Sequence, residues 1–142
     1  MINNFSILLV EDDDVAAESV IRGLRKTNTQ INVVIAENGK KALDILRYED
    51  PKTKITSPFV VLLDLNMPVM NGFEFLEQVR NDERLNGVVI FILTTSDNDS
   101  DKAKAYDNQV AGYMVKSSVG PQFAKLATLL EAYKDAIELN RL

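Results

Sequence analysis

The sequence predicts an α/β fold, a doubly wound five-stranded parallel sheet with five helices, and three observations carry that prediction. Short apolar runs alternate with amphipathic stretches along the whole chain. The runs are rich in Val, Ile, Leu and Phe and lack the strict alternation of a sheet that is wet on one face, as strands covered on both faces do. The 142 residues, 46% apolar, suffice for one core and not for a second, so residues 1–142 read as a single domain with no output domain.

The elements follow in order. Phe5–Val10 is the first strand, closed by a run of acids. A helix is expected over Val15–Lys26, where Ala17, Val20, Ile21 and Leu24 share one face at i, i+3, i+4 and i+7. Ile31–Ala36 is the second strand, and Asn38-Gly39 starts a helix with Ala42, Ile45 and Leu46 inward. Asp50–Pro58, with prolines near both ends and no periodicity, reads as a solvated loop. Phe59–Leu63 is the third strand, and after Asn71-Gly72 comes a helix with Phe75, Leu76 and Val79 on its inner face. Val88–Leu93 is the fourth strand, followed by a short helix over Asp99–Asp107 with Asp97 or Asp99 as its cap. Gly112–Val115 is the fifth strand. The last helix opens near Pro121 and carries Phe123, Leu126, Ala127, Leu130 and Ile137 in one stripe. Its second face, with Leu129, Ala132, Ala136 and Leu139, is a candidate dimer surface. Right-handed crossovers and two sheet faces to cover make the flavodoxin-like strand order 2-1-3-4-5 the economical arrangement.

Composition excludes whole classes of chemistry. Sixteen Lys and Arg against twenty-one Asp and Glu leave a net charge of -5, which repels nucleic acid and anionic membranes. With no Cys and no His there are no disulfides, Cys/His zinc sites, thiol nucleophiles or imidazole bases. The N-terminus lacks the pattern of a signal peptide, and no apolar run exceeds six residues, so a cytoplasmic protein without a membrane span is expected.

Ligands of an open parallel sheet bind beyond the carboxyl ends of its strands, and there this chain places unusual residues. Glu11, Asp12, Asp13 and Asp14 follow strand one, Asp64 follows strand three, Thr94, Thr95 and Ser96 follow strand four, and Lys116 lies just past strand five. If strands one and three are neighbours, Glu11, Asp12 and Asp64 share a pocket whose mutual repulsion a divalent cation would relieve. An all-oxygen donor set suits Mg²⁺ or Mn²⁺. Thr94 offers a hydroxyl and Lys116 a point charge for a phosphoryl group, and Asp64, at the end of an apolar strand and before the turn Asn66-Met67-Pro68, is the best nucleophile. Asp13 and Asp14 read as helix N-terminal residues instead of ligands. Asp97, Asp99 and Asp101 match the first calcium-loop positions, but Lys102 stands where glycine is needed and Asn108 where a bidentate Glu is needed, so that site is rejected.

These motifs resemble the receiver domain of two-component response regulators, the CheY-like family, over essentially the whole chain. Ile7-Leu8-Leu9-Val10-Glu11-Asp12-Asp13 resembles its acidic motif, and Asp64-Leu65-Asn66-Met67-Pro68-Val69-Met70-Asn71-Gly72 its phosphoacceptor block. Thr94, Tyr113 and Lys116 match its hydroxyl, switch aromatic and lysine. The resemblance implies a phosphoprotein of a phosphorelay, in which Asp64 takes a phosphoryl group from a partner histidine kinase or phosphotransfer protein. It also implies Mg²⁺ held by Asp12, Asp64 and the backbone carbonyl of Asn66, with Glu11 acting through water. Such a chain is no enzyme beyond its own phosphorylation and dephosphorylation. Phosphorylation would draw in Thr94 and Lys116, rotate Tyr113, and be read by a protein target on the face of helix four, strand five and helix five, with room for a phosphorylation-linked homodimer. Two residues depart from the pattern. Thr95 stands where a smaller residue is usual and would narrow access to Asp64, and Ser117 follows Lys116 where the family has a proline in a cis peptide, so either a cis bond survives under strain or the loop takes another path. Lys116-Ser117 and the long loop before strand three resemble the single-domain regulators associated with bacterial phytochromes. Two rivals are a receiver-like scaffold that is never phosphorylated and a flavodoxin-like FMN carrier; the four acids after strand one oppose the second, because they would repel its phosphate.

Overall fold

The computed structural model describes residues 6–27, 31–118 and 124–136. Among them five strands and five α-helices alternate: β1 (Ser6–Val10), α1 (Asp14–Thr27), β2 (Asn32–Ala36), α2 (Gly39–Leu46), β3 (Phe59–Leu63), α3 (Gly72–Asn81), β4 (Ile90–Thr94), α4 (Asp99–Asp107), β5 (Gly112–Val115) and α5 (Ala124–Ala136). All strands are parallel, in the order β2-β1-β3-β4-β5 that the sequence predicts.

The side-chain alternation of the strands divides the core into two layers. Ile7, Leu9, Val60, Leu62, Phe91 and Leu93 point to one face, where α1 and α5 cover them with Ala17, Val20, Leu24, Leu126, Ala127 and Leu130. Leu8, Val10, Val61, Leu63, Ile90 and Ile92 point to the other, under Ala42, Leu43, Ile45 and Leu46 of α2, Phe75, Leu76 and Val79 of α3 and Ala105 of α4. Phe91 also takes the Tyr133 ring edge-on, with centroids 5.3 Å apart.

Several boundaries differ from the sequence reading for local reasons. β2 is an edge strand with Asn32 and Ile35 exposed, not a strand buried on both faces, because only β1 flanks it. β4 begins at Ile90, two residues late, because Arg80 takes the Val88 carbonyl at 2.8 Å. The cap of α4 is Asn98, not Asp97 or Asp99: its side chain accepts the Ser100 and Asp101 N–H groups at 2.8 and 3.2 Å. Asp97 instead pairs with Lys102. The Asp50–Pro58 loop is anchored, since the buried Asp50 carboxylate accepts the Lys52 and Thr53 N–H groups and Ile55 enters the core. Phe5, the opening of the last helix near Pro121, Phe123, Ile137 and Leu139 lie outside the described residues.

Candidate functional site

Parallel register brings the acids together. Val10 pairs with Leu63, so Glu11 and Asp64, one residue further along each strand, emerge side by side, and the Asp64 N–H still donates to the Val10 carbonyl at 3.0 Å. The Glu11 N–H donates to Ala36 of β2 at 2.9 Å, which fixes the turn on its other side. Carboxylate oxygens of Glu11, Asp12 and Asp64 lie within 4.8 Å of one another. Glu11 and Asp64 are buried whereas Asp12 faces solvent.

Asp13, the next acid, is committed elsewhere. Its Oδ1 accepts the Val15 and Ala16 N–H groups at 2.8 and 3.3 Å and caps α1, and Asp14 sits in the helix's first turn, as expected of acids at a helix N-terminus.

The charge facing the acids comes from the far side of the sheet. Thr94 pairs with Val115, and the chain turns just beyond β5, which carries Lys116 over β4 to the pocket. Its Nζ lies 2.6 Å from Glu11 Oε1 and 3.6 Å from Asp64 Oδ2. Burial pushes the Glu11 carboxyl up, and the nearby Asp64 charge adds to this; the Lys116 hydrogen bond and charge pull back without cancelling the rise. For Lys116, burial works against the ammonium, but the Glu11 hydrogen bond and the Asp64 charge outweigh it, leaving its pKa above the ordinary lysine value.

Lys116–Ser118 forms a 3-10 turn, and the cis peptide recorded among the described residues is Ser57–Pro58. The loop after Lys116 therefore takes another path from the family's cis-proline turn.

Thr94 is fully buried at the end of β4, and its Oγ1 accepts the Ser96 N–H at 3.4 Å. The Ser96 carbonyl accepts the Tyr113 hydroxyl at 3.0 Å, and the Ser96 hydroxyl donates to Asp101 of α4 at 2.7 Å. Ser96 thus joins the strand end, the aromatic ring and helix α4, a bridging role the sequence reading did not give it; its only signal there was its place two residues beyond Thr94. Burial raises the Tyr113 hydroxyl's pKa. Thr95 is exposed.

Close backbone approach shapes the opposite wall. The Asn66 N–H reaches Asp64 Oδ1 at 3.4 Å, and the Gly72 N–H closes the loop onto the Leu65 carbonyl at 3.0 Å. A Cβ on Gly72 would stand 2.7 Å from the Asp64 carbonyl oxygen, so glycine is required there. Gly39 likewise lets α2 meet this loop, with its N–H on the Met70 carbonyl at 3.3 Å.

Hard oxygen donors converging without nitrogen or sulfur fit Mg²⁺ or Mn²⁺, with Lys116 supplying compensating charge. No helix among the described residues is long and apolar enough to cross a membrane.

Residues 7–128 match the response regulator receiver domain family. The chain is 38% identical over 112 residues to the probable methanogenesis regulatory protein FilR2 of Methanothrix harundinacea, covering 79% of this chain and 72% of that protein. It is 28% identical over 127 residues to response regulator Rcp1 of Synechocystis, covering 89% and 86%. The solved structure of the phosphorylated cyanobacterial phytochrome response regulator RcpA superposes with a TM-score of 0.81 at 27% identity, over 96% of this chain and 98% of that one. The Mn²⁺-bound form of Rcp1 gives 0.79 at 26% identity, over 96% and 99%.

Proposed function

The chain belongs to the response regulator receiver domain family, and on that premise we propose that it is a phosphorylation switch whose acceptor is Asp64. The observation that carries this reading is the convergence of three carboxylates within 4.8 Å on a lysine 2.6 Å from one and 3.6 Å from another. Asp64 is held by its backbone and by the Asn66 N–H with one carboxylate edge toward Lys116, the orientation an attacking oxygen needs.

Glu11, Asp12, Asp64 and the Asn66 carbonyl are the residues to hold Mg²⁺ or Mn²⁺, which when bound offsets the negative charge of the acceptor and the incoming group. Lys116 and the Thr94 hydroxyl then meet the equatorial oxygens of the phosphoryl group on Asp64. Drawing Thr94 inward stretches its bond from Ser96, and because Ser96 also holds Tyr113 and Asp101, the ring and the start of α4 are released together. The readout is protein–protein contact on the α4–β5–α5 face, from a single receiver unit acting in the cytoplasm. The phosphoryl group comes from a histidine kinase or phosphotransfer protein, and the likeness to phytochrome response regulators makes a phytochrome-linked kinase the first donor to try.

The test is intact mass after incubation with acetyl phosphate and Mg²⁺, beside Asp64→Asn and a chelator control. One added phosphoryl mass, absent from both controls, is expected. No gain with acetyl phosphate or with a phosphorylated kinase would overturn the switch and leave a scaffold.

A further inference from the structure

The far ends of α2 and α3 hold a cluster of charges that the switch does not use. Both helices start against the acceptor loop, at Gly39 and Gly72, and end in the caps Arg47 and Asp82, a helix length from that loop. There Arg47, Gln78, Asn81, Asp82, Glu83 and Arg84 line a cleft of about 480 Å³. A single ion pair joining the two helix ends, with its cation near the helix carbonyls, would account for one arginine on Asp82. Here two arginines share it.

The bonding capacity of Asp82 is what limits this cluster. Its Oδ1 accepts the Arg84 N–H at 2.9 Å and Arg84 Nε at 3.4 Å, and its Oδ2 accepts Arg47 Nε at 3.1 Å and Arg84 Nη2 at 3.4 Å. Two bonds on each oxygen fill a carboxylate. The Nη groups of Arg47 and Nη1 of Arg84 therefore have no protein acceptor among the described residues. Water readily serves Arg84, whose side chain is 67% exposed, but the Arg47 side chain is only 24% exposed. A guanidinium so enclosed gains most from a further acceptor. Charge favours an anionic one, because the single Asp82 carboxylate stands between two cations that its bonds hold in fixed orientation. The net charge of -5 on the chain matters less here, since salt screens charges beyond about 8–10 Å.

We propose that this cleft is an oxyanion site, which binds the carboxylate or phosphate group of a small ligand between Arg47 and Arg84. A planar guanidinium presents paired N–H groups that match two oxygens of either group. An oxyanion there completes an alternation of charge, from Arg84 to Asp82 to Arg47 to the ligand, and supplies Arg47 with the acceptor that Asp82 has no capacity left to be. The side-chain amides of Gln78 and Asn81 meet polar groups on the rest of the ligand, in a cleft of a size that suits a small molecule. Glu83, an exposed carboxylate on the same wall, works against the anion and holds its affinity down. The site stands apart from the acceptor loop and does not depend on phosphorylation of Asp64.

The experiment follows the Nε–H signals of Arg47 and Arg84 by heteronuclear NMR while the metal-free protein is titrated with citrate or with inorganic phosphate, ionic strength being held constant with KCl. Shifts of both signals that saturate below about 20 mM are expected with at least one of the two anions, the range of a millimolar Kd. Arg84→Gln, at an exposed position where the fold tolerates the change, is expected to weaken binding about fivefold or more, and Glu83→Gln to tighten it about twofold or more. Asp64→Asn is expected to leave the affinity unchanged, which separates this cleft from anything held at the strand ends. Saturation by citrate alone would assign the site to carboxylates, and by phosphate alone to phosphate groups. Shifts that only rise linearly with both anions would overturn the proposal. So would an affinity that survives Arg84→Gln or falls in Glu83→Gln.

Discussion

Single residues in this fold carry effects that differ by the environment each meets. Asp82 accepts the Arg84 N–H at 2.9 Å and Arg47 Nε at 3.1 Å, and the Arg84 backbone bond first, then the Arg84 and Arg47 side chains, hold its carboxyl below the ordinary value. A depressed native pKa contributes stability that is complete above the unfolded-state pKa and is lost as pH falls through the native one. Asp82→Asn is therefore expected to lower the urea midpoint at neutral pH, with the gap to the parent closing below the ordinary aspartate pKa. A gap that persisted in acid would refute this. Phe75 is fully buried in the layer under α3, and truncating such a ring to Ala costs about 3–5 kcal/mol, measurable by denaturant unfolding. Arg80 donates to four backbone carbonyls, of Asn86, Val88, Asn108 and Gln109, and none of these partners could be read from a lone arginine in a helical pattern. Tertiary placement alone supplies them.

Elements were legible where their signals are local. The α3 start is one such case: Asn71 accepts the Glu74 N–H at 3.0 Å and Glu74 returns a bond to the Asn71 N–H at 3.1 Å, a capping box spelled out in four consecutive residues. Asn71→Ala is expected to destabilise by about 1 kcal/mol. Because α3 follows directly on the acceptor loop, exchange protection of the first α3 amides should fall as well, and unchanged protection would count against that coupling. The cap of α4 was misread because Asp97, Asn98 and Asp99 are all good caps by composition. Which one turns inward depends on the path out of β4, where Ser96 is held by Thr94 and Tyr113. The edge character of β2 was likewise hidden, since Asn32–Ala36 is as apolar as a central strand and only its position in the sheet exposes it.

At the scale of the molecule, the acidic pocket sets folding against function. Three carboxylates and one lysine leave excess negative charge at the strand ends, so a divalent cation bound there should stabilise the native state by mass action, about 2.7 kcal/mol at a hundredfold excess over Kd. A rise in Tm with Mn²⁺ or Mg²⁺ is expected, reduced in Asp12→Asn and Asp64→Asn. Equal rises in all three would place the ion elsewhere. The sequence by itself determined the α/β class, the order of elements and the identity of the residues at the strand ends, because hydrophobic period, caps and the acid-after-strand pattern are written in neighbours along the chain. What only the tertiary structure decided is how Lys116 crosses to Glu11, how Ser96 joins Thr94 to Tyr113 and α4, and that Val69 stands strained and exposed. Each depends on register between strands far apart in sequence, or on a backbone angle that neighbouring contacts impose, and neither is encoded in any local run of side chains.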